Sequence, residues 1–558
     1  MKRNDWILLA VLVLASLLAC RGLLNDKLNL GHDSAAGFIR QVSLYRCFGD
    51  GQFMVRWVGN FNFGFGYPLF NFYPPLFYYA AHAFVLLGVG VVASLNIAAV
   101  FFWIVSAVGM YLFAREFFPK TGAFLAGVCY TFAPYHIVDI YVRGAFAEFS
   151  SFAVFPFILL SLYRLSLKSS KGYFILAALS VAALSLSHNI MCMLFFPVAF
   201  VYAIVLCRKN IFYLLSSMIT GLSLGAFFWL PAILEKNFVQ IHNMIGGRWQ
   251  YINHFVYPWQ LIYSKWGYGD SLSGPYDGMS FQIGPLHLIF STVAVFMLLR
   301  IYRVYRETFR QVLFFLGLML VSCFFTLTAS SFFWEKIPML SYVQFPWRFL
   351  TLVTLSASFL AAGVSLIAQN RIMRFVNIFL AVLVVVANIF YCQVNTTKPL
   401  WNSDWLNVGD VRELLDYMHL PDAKEYTPIW VKQMPRKPHQ DSIFSSSGQA
   451  NLQVLDKQGI SSLEKLFSVS CASKTNAYYD VFYFPGWQVW IDGAKTEVWA
   501  SSPNGLIEFM IPAGVHSIRI KFGYTPVRAI AVTVSCLALI FIFILGLSAF
   551  YFPRRNVA

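Results

Sequence analysis

His32 and Asp33 stand side by side a few residues after the first strongly apolar run of this chain ends. A carboxylate can take the proton of a hydroxyl, and an adjacent imidazole can share it. Related groups recur at the ends of later apolar runs. The stretch "PYHIVDIYVRGAFAEF" carries His136, Asp139, Arg143 and Glu148, and "SLSHNI" carries His188 and Asn189. Glu235 and Lys236 follow in "FFWLPAILEKN", and Arg348 in "YVQFPWRFL". Arg40 and Arg46 lie just beyond Asp33, in a segment with Phe38, Val42 and Tyr45 at helical spacing. Guanidinium groups bind phosphate oxygens through paired, charge-assisted hydrogen bonds. Acids, imidazoles and arginines in one place therefore suit chemistry on a phosphate-bearing substrate.

Every one of these residues also has a plainer explanation. Asp is a favoured helix N-cap, so Asp33 can simply start the next helix. Asp139 and Arg143, four apart, can form a surface pair worth a few tenths of a kcal/mol. His188-Asn189 can end a helix, and Arg348 can reach for lipid headgroups. The aromatics of "FNFGFGYPLFNFYPPLFYY" suit anchors at a membrane interface. These readings account for residues singly. They leave unexplained why acids, imidazoles and guanidiniums collect on one face while the apolar interiors stay almost free of charge.

The elements that position these groups follow from composition. Of 558 residues, 58% are hydrophobic and 12% charged, about half the charge of a soluble domain, so the chain is a polytopic membrane protein. Its net charge of +16 does not indicate nucleic acid, because Lys and Arg fall in short clusters between apolar runs: Lys2/Arg3, Arg115/Lys120, Arg164/Lys168/Lys171, Arg208/Lys209, Arg300/Arg303/Arg306/Arg310, Arg371/Arg374 and Arg554/Arg555. Twelve spans, near 6–24, 94–114, 121–137, 148–165, 173–188, 190–207, 211–231, 284–299, 311–329, 348–368, 374–392 and 528–551, put all these clusters on the cytoplasmic side. Counting 76–92 as a further span would invert most of them, so it reads as a re-entrant or interfacial helix. The N-terminus reads as an uncleaved first span, although Leu17-Leu18-Ala19-Cys20 loosely resembles a lipoprotein cleavage box. Nine scattered cysteines give no disulfide framework.

Outside the membrane this leaves a first loop of 25–93, a turn around 139–148, a loop of 231–284 and a segment of 393–527. That last segment turns polar and strand-like over 476–524, with an Asp492-Gly493 hairpin signal. A small β-sandwich before the final helix is the expectation. The domains are thus 1–392 in the membrane, 393–527 outside, and 528–558 as the last helix and a cytoplasmic tail. A carboxylate base and several cations at the outer interface suit a phospholipid-linked substrate, since activated nucleotide sugars are absent there.

The arrangement of a cytoplasmic start, a long first outer loop with an acid after helix one, and an acidic second outer turn resembles the GT-C glycosyltransferase superfamily, nearest to aminoarabinose and mannosyl transferases. More narrowly, "GHD", "GYPLFNFYPPL", "YVRGAFAE", "SHN", "FFWLP", "QFPWRF", "EYTP" and "PGWQVWIDG…IPAGVHSI" resemble a bacterial membrane family labelled 6-pyruvoyl-tetrahydropterin synthase-related, over nearly the whole chain. The resemblance implies a GT-C-like fold in the bacterial cytoplasmic membrane, both termini inside. It also implies transfer of a sugar from a polyprenyl-phosphate donor to an extracytoplasmic glycan or lipid acceptor. Asp33 matches the catalytic acid, and Glu148 or Asp139 the second-loop acid. His188 matches a polar residue near the lipid phosphate, and Arg348 lies in the matching late loop. His32, Arg40, Arg143 and Asn189 complete the expected substrate-binding set. Many superfamily members carry two acids in the first loop, whereas the next acid after Asp33 here is Asp50. No metal ligands are assigned, and a divalent ion is left open. The alternatives are a transporter or flippase of lipid-linked saccharides, and a non-catalytic envelope assembly protein.

Overall fold

The structure is a computed structural model that describes residues 3–25, 27–29, 31–206, 210–368, 370–395, 424–445 and 451–551. Eight helices are long and apolar enough to cross a bilayer: Val91–Ala114, Lys120–Tyr141, Phe146–Leu167, Ile211–Leu234, Arg306–Thr326, Pro346–Leu366, Arg371–Tyr391 and Pro526–Phe550. Four more apolar helices, Arg3–Ala19, Lys171–Ser187, Asn189–Leu206 and Pro285–Val304, fall on the remaining expected runs and have 17, 17, 18 and 20 residues. These four lengths fall within the about 17–25 residues that a crossing takes.

The helix Leu76–Leu86 has 11 residues and rises about 16 Å at 1.5 Å per residue, roughly half a bilayer core. Pro74 and Pro75 precede it and Gly88 follows, so it cannot lengthen. Proline also interrupts Lys120–Tyr141: the first part ends at Thr131 and the second starts with Pro134 at its first turn. Ala133 before it takes an extended conformation, φ −64° and ψ 133°, as a residue preceding proline prefers. Lys120–Tyr141 and Pro346–Leu366 are buried along their apolar lengths, whereas the final helix is mostly exposed. The first two are central to the bundle and the last runs along its edge.

The C-terminal region is a β-sandwich of two antiparallel sheets. The strands are β1 Ile443–Ser445, β2 Leu452–Ser461, β3 Glu464–Cys471, β4 Thr475–Phe482, β5 Trp487–Ile491, β6 Ala494–Thr496, β7 Trp499–Ala500, β8 Leu506–Ile511 and β9 Gly514–Phe522. One sheet has the order β1-β4-β8-β7 and the other β2-β3-β9-β5-β6. Asp492 and Gly493 turn the β5–β6 hairpin with φ of 51° and 83°, the left-handed pair that a two-residue turn requires. The sandwich begins before residue 476, because β1 to β3 also belong to it. Part of the stretch before that point, 396–423 and 446–450, lies outside the described residues, as do Lys2, Arg208, Lys209, Arg554 and Arg555.

The first loop is a packing element, and its aromatics correct the expectation of membrane anchors. Phe61, Phe65, Tyr67, Phe70, Phe72 and Phe77 are buried. Trp57 meets Trp487 edge-on at 5.7 Å and Phe522 at 5.6 Å, and Phe65 stacks on Phe482 at 5.3 Å. An ionic node ties the same pieces together. Glu235 Oε2 accepts from Arg528 Nε at 3.0 Å and Nη2 at 2.9 Å and from Asn71 Nδ2 at 2.9 Å; Thr525 Oγ1 donates to Oε1 at 2.6 Å. Arg56 holds Asn71 Oδ1 at 3.0 Å and the Phe227 carbonyl at 2.7 Å. First loop, helix Ile211–Leu234 and final helix thus share one buried network.

Two outcomes follow. Engineered cysteines at Asp50 and Gly90, both exposed and flanking Leu76–Leu86, should both react with an impermeant maleimide in intact cells; protection of only one would show that this helix crosses. Removing one partner of a buried ion pair typically costs about 3–5 kcal/mol, so Glu235→Ala should markedly lower the melting temperature of the purified protein in detergent. An unchanged melting curve would refute the role of the node.

Candidate active site

The site is assembled on the turn between helices Pro134–Tyr141 and Phe146–Leu167. Glu148 lies in the first turn of the second helix and is 1% exposed. Buried charge is costly unless paired and hydrogen-bonded, and Glu148 is both. Arg143 Nη1 sits 2.8 Å from Oε1 and Nη2 donates to Oε2 at 2.9 Å. Arg348 Nε donates to Oε2 at 3.1 Å and Tyr135 Oη to Oε1 at 3.0 Å. Arg143 also pairs with Asp139 and lies over the Trp347 ring, 4.6 Å from its centroid. The Asp139–Arg143 pair is therefore buried at the centre of the site and is no surface pair.

Arg348 is clamped further. Its Nη1 donates to the Val343 carbonyl at 2.8 Å and to Gln344 Oε1 at 2.9 Å. Gln344 has φ of 64°, a left-handed conformation that costs of order 1–3 kcal/mol in a non-glycine residue and persists only where the surroundings impose it. Here Gln344 Nε2 is held by the Met244 carbonyl at 2.7 Å.

Asp33 reaches this cluster through the backbone. Its N–H donates to the Arg143 carbonyl at 2.7 Å, and the His32 N–H to the Val142 carbonyl at 3.1 Å. Glycine permits the approach: a Cβ on Gly31 would stand 2.7 Å from Gly144 N, and Gly144 itself has φ of 63°. Asp33 occupies the N-cap position of helix Ser34–Gly49, yet its side chain makes no capping hydrogen bond, and it is exposed. The geometry thus removes capping as the reason for a carboxylate here.

The remaining candidates divide. Arg40 lies over the Tyr73 ring at 3.9 Å and its Nη1 reaches Tyr78 Oη at 3.5 Å; among the described residues no carboxylate pairs with it, and the Asp33 charge acts on it across space. His32 Nε2 is 3.6 Å from Asp270 Oδ1. Burial pushes the His32 imidazole below its ordinary 6.5, against the opposing pull of Asp33 and Asp270. His188 Nδ1 accepts the Met191 N–H at 3.3 Å, within range of the Glu148 and Arg348 charges. Asn189 Nδ2 instead donates to the Phe72 carbonyl at 2.9 Å and brackets the first loop. His136 stacks on Phe152 with its Nδ1 2.7 Å from the Tyr130 carbonyl and belongs to the core. Tyr135 and Asp270 were not singled out by sequence. Tyr135 shares a helix face with Asp139 at i,i+4, a usable signal; Asp270 sits in a loop with none.

Among the described residues no group of three or more His, Cys, Asp or Glu side chains is placed to hold a metal ion. Asp139 and Glu148 are both paired with guanidiniums.

A model of the family described as "6-pyruvoyl-tetrahydropterin synthase related domain; membrane protein" matches residues 70–396, more than half of the chain. The chain belongs to this family. The match includes Arg143, Glu148, His188 and Arg348 and starts after Asp33. Among solved structures, the family member described here is similar to the arabinofuranosyltransferase AftD from Mycobacteria, with 15% identity and a TM-score of 0.45 over 70% of this chain and 27% of that one. It is also similar to the oligosaccharyltransferase of Archaeoglobus fulgidus in the apo form, with 12% identity and a TM-score of 0.42 over 78% of this chain and 62% of that one. The chain thus spans about a quarter of the first and less than two thirds of the second. No curated protein matches it.

Because Asp33 caps nothing, Asp33→Ala should change stability by less than about 0.5 kcal/mol, as exposed substitutions do, where loss of a working cap costs about 1. Thermal unfolding of the purified variant decides; a clear drop in melting temperature would restore the capping role.

Proposed function

We propose that this protein is an integral membrane glycosyltransferase that moves a sugar from a polyprenyl-phosphate donor to an extracytoplasmic glycan or lipid acceptor. The observation that carries the reading is an exposed carboxylate, Asp33, with no capping duty, fixed by its backbone to a turn built on buried arginines. The family motifs of the first and second loops point the same way.

In this reading the acceptor hydroxyl oxygen attacks the anomeric carbon and its proton passes to an Asp33 carboxylate oxygen. The bond from the anomeric carbon to the phosphate oxygen breaks, and the polyprenyl phosphate leaves with the electron pair. Arg40 is the guanidinium best placed to receive that charge, since Arg143 and Arg348 spend theirs on Glu148 and Asp139. Arg348 and His188 act as positioning residues around the same phosphate. The Asp139 and Glu148 carboxylates set the Arg143 side chain and so the turn that carries Asp33. Residues 1–392 hold the transfer site, 393–527 form the extracytoplasmic domain, and 528–558 return the chain to the cytoplasmic side of the cytoplasmic membrane.

The test is transfer by the purified protein in nanodiscs, assayed against a set of synthetic polyprenyl-phosphate sugars. Asp33→Asn should lose about 10²–10⁴-fold in rate, the usual contribution of a general base, while melting like the parent. Near-parental transfer by the folded variant would overturn Asp33 as base, and no transfer by the parent from any donor would overturn the reading.

A further inference from the structure

A cavity of about 310 Å³ opens at the seam between the first loop and the β-sandwich, apart from the Asp33 turn. Trp57, Asn60 and Phe63 line it from the loop, and His439, Asp441 and Tyr479 from the sandwich side. Its volume lies at the small end of the range for small-molecule sites, about 300–1,000 Å³.

Three features distinguish it from a packing gap. The first is unmet hydrogen bonding. Asn60 Nδ2 and His439 Nδ1 are both buried atoms without a hydrogen-bond partner among the described residues; the nearest carboxylate oxygen to His439 Nδ1, on Asp480, is 3.9 Å away. Such a group is costly unless something else satisfies it. The second is backbone strain at the rim. Asn62, Phe63 and Asp441 have φ of 54°, 60° and 51°, conformations that non-glycine residues avoid and that cluster at ligand clamps. Gly64 beside them has φ of 90°, and a Cβ there would run into the His439 ring.

The third feature is charge balance. Asp441 accepts from Lys457 at 2.8 Å, Lys465 at 2.9 Å and Tyr479 Oη at 2.7 Å. Burial works to raise its pKa, but these three donors hold the carboxyl down at about 2. Asp480 takes the Ser442 N–H at 2.9 Å and that of Gln440. Of the groups that line the cavity, the Asp441 carboxylate and the Lys465 ammonium are paired with each other, so they present hydrogen-bonding groups that already balance in charge. Indole and phenyl rings beside amide and imidazole groups match a ring with an apolar C–H face and a hydroxylated edge.

We propose that this seam cavity binds an uncharged sugar ring, as one unit of a neutral saccharide. Binding there does not depend on the transferase reading; only the further step, that the saccharide is the acceptor glycan, rests on it. Full-length protein in nanodiscs would be titrated calorimetrically with the tetrasaccharides of maltose, cellobiose, chitobiose, mannobiose and galactobiose series, and with tetragalacturonate as the charged control. At least one neutral probe should bind, and Asn60→Ala and His439→Ala should each weaken it about five- to tenfold, the worth of one hydrogen bond. The atoms that would meet the sugar, Asn60 Nδ2 and His439 Nδ1, have no hydrogen-bond partner among the described residues, and melting curves verify that the variants fold. Binding should persist in Asp33→Asn, so failure of the transferase reading would leave this result untouched. Absence of binding by every neutral probe, binding of tetragalacturonate alone, or affinity unchanged in both alanine variants would overturn the proposal.

Discussion

The buried carboxylate of Glu148 is the constraint from which the site is built. An ionised carboxylate out of water must be paired and hydrogen-bonded or the fold carries several kcal/mol of uncompensated desolvation. Glu148 draws in Arg143 from its own turn, Tyr135 from the preceding helix and Arg348 from 200 positions further along the chain. Each guanidinium is then oriented by further contacts, Arg143 by Asp139 and Trp347, Arg348 by Gln344 and the Val343 carbonyl. Fixing Arg143 fixes the Val142 and Arg143 carbonyls, and those two carbonyls hold His32 and Asp33. The position of the exposed acid is thus determined by a buried one that it does not touch.

A second constraint joins the bundle to the sandwich. Trp57 enters the sandwich core, and the Glu235–Arg528 pair lies beneath it with Phe484 and Phe522 around the Arg528 guanidinium, 5.2 and 5.1 Å from their ring centroids. Aromatic burial and a shared ionic network resist relative movement far better than a linker alone. The first loop therefore serves two surfaces at once. Its beginning carries Asp33 against the bundle, and its middle seals the sandwich.

Much of this was legible in sequence because the signals are local. Long apolar runs mark the helices, and the paired signals of Asp492-Gly493 and alternating residues mark β5 and β6. Strand β2 was not legible: most of its residues are exposed, so alternation has no buried face to report. The break at Pro134 was passed over because apolar residues continue on both sides of it. At the site, residue types at the ends of apolar runs nominated Asp33, Arg143, Glu148 and Arg348; the structure joins the last three through side chains and Asp33 to Arg143 through the backbone. What sequence could not supply was the pairing, since nothing in "QFPWRF" says that its arginine is consumed by Glu148. Nor could it separate Asn189, which brackets the first loop, from His188 one residue earlier.

The two ionic nodes also explain why polar residues at the ends of apolar runs are poor guides to chemistry by themselves. Glu235 and Glu148 look alike in sequence, each an acid at an end of an apolar helix, and both are buried among arginines. Around Glu235 the partners are first loop and final helix, and the network ends there in packed aromatic side chains. Around Glu148 the network continues through backbone carbonyls to a carboxylate that is exposed and makes no capping hydrogen bond. A buried acid that sets geometry and an exposed acid held by its backbone alone are different arrangements, and that difference separates the two nodes on physical grounds.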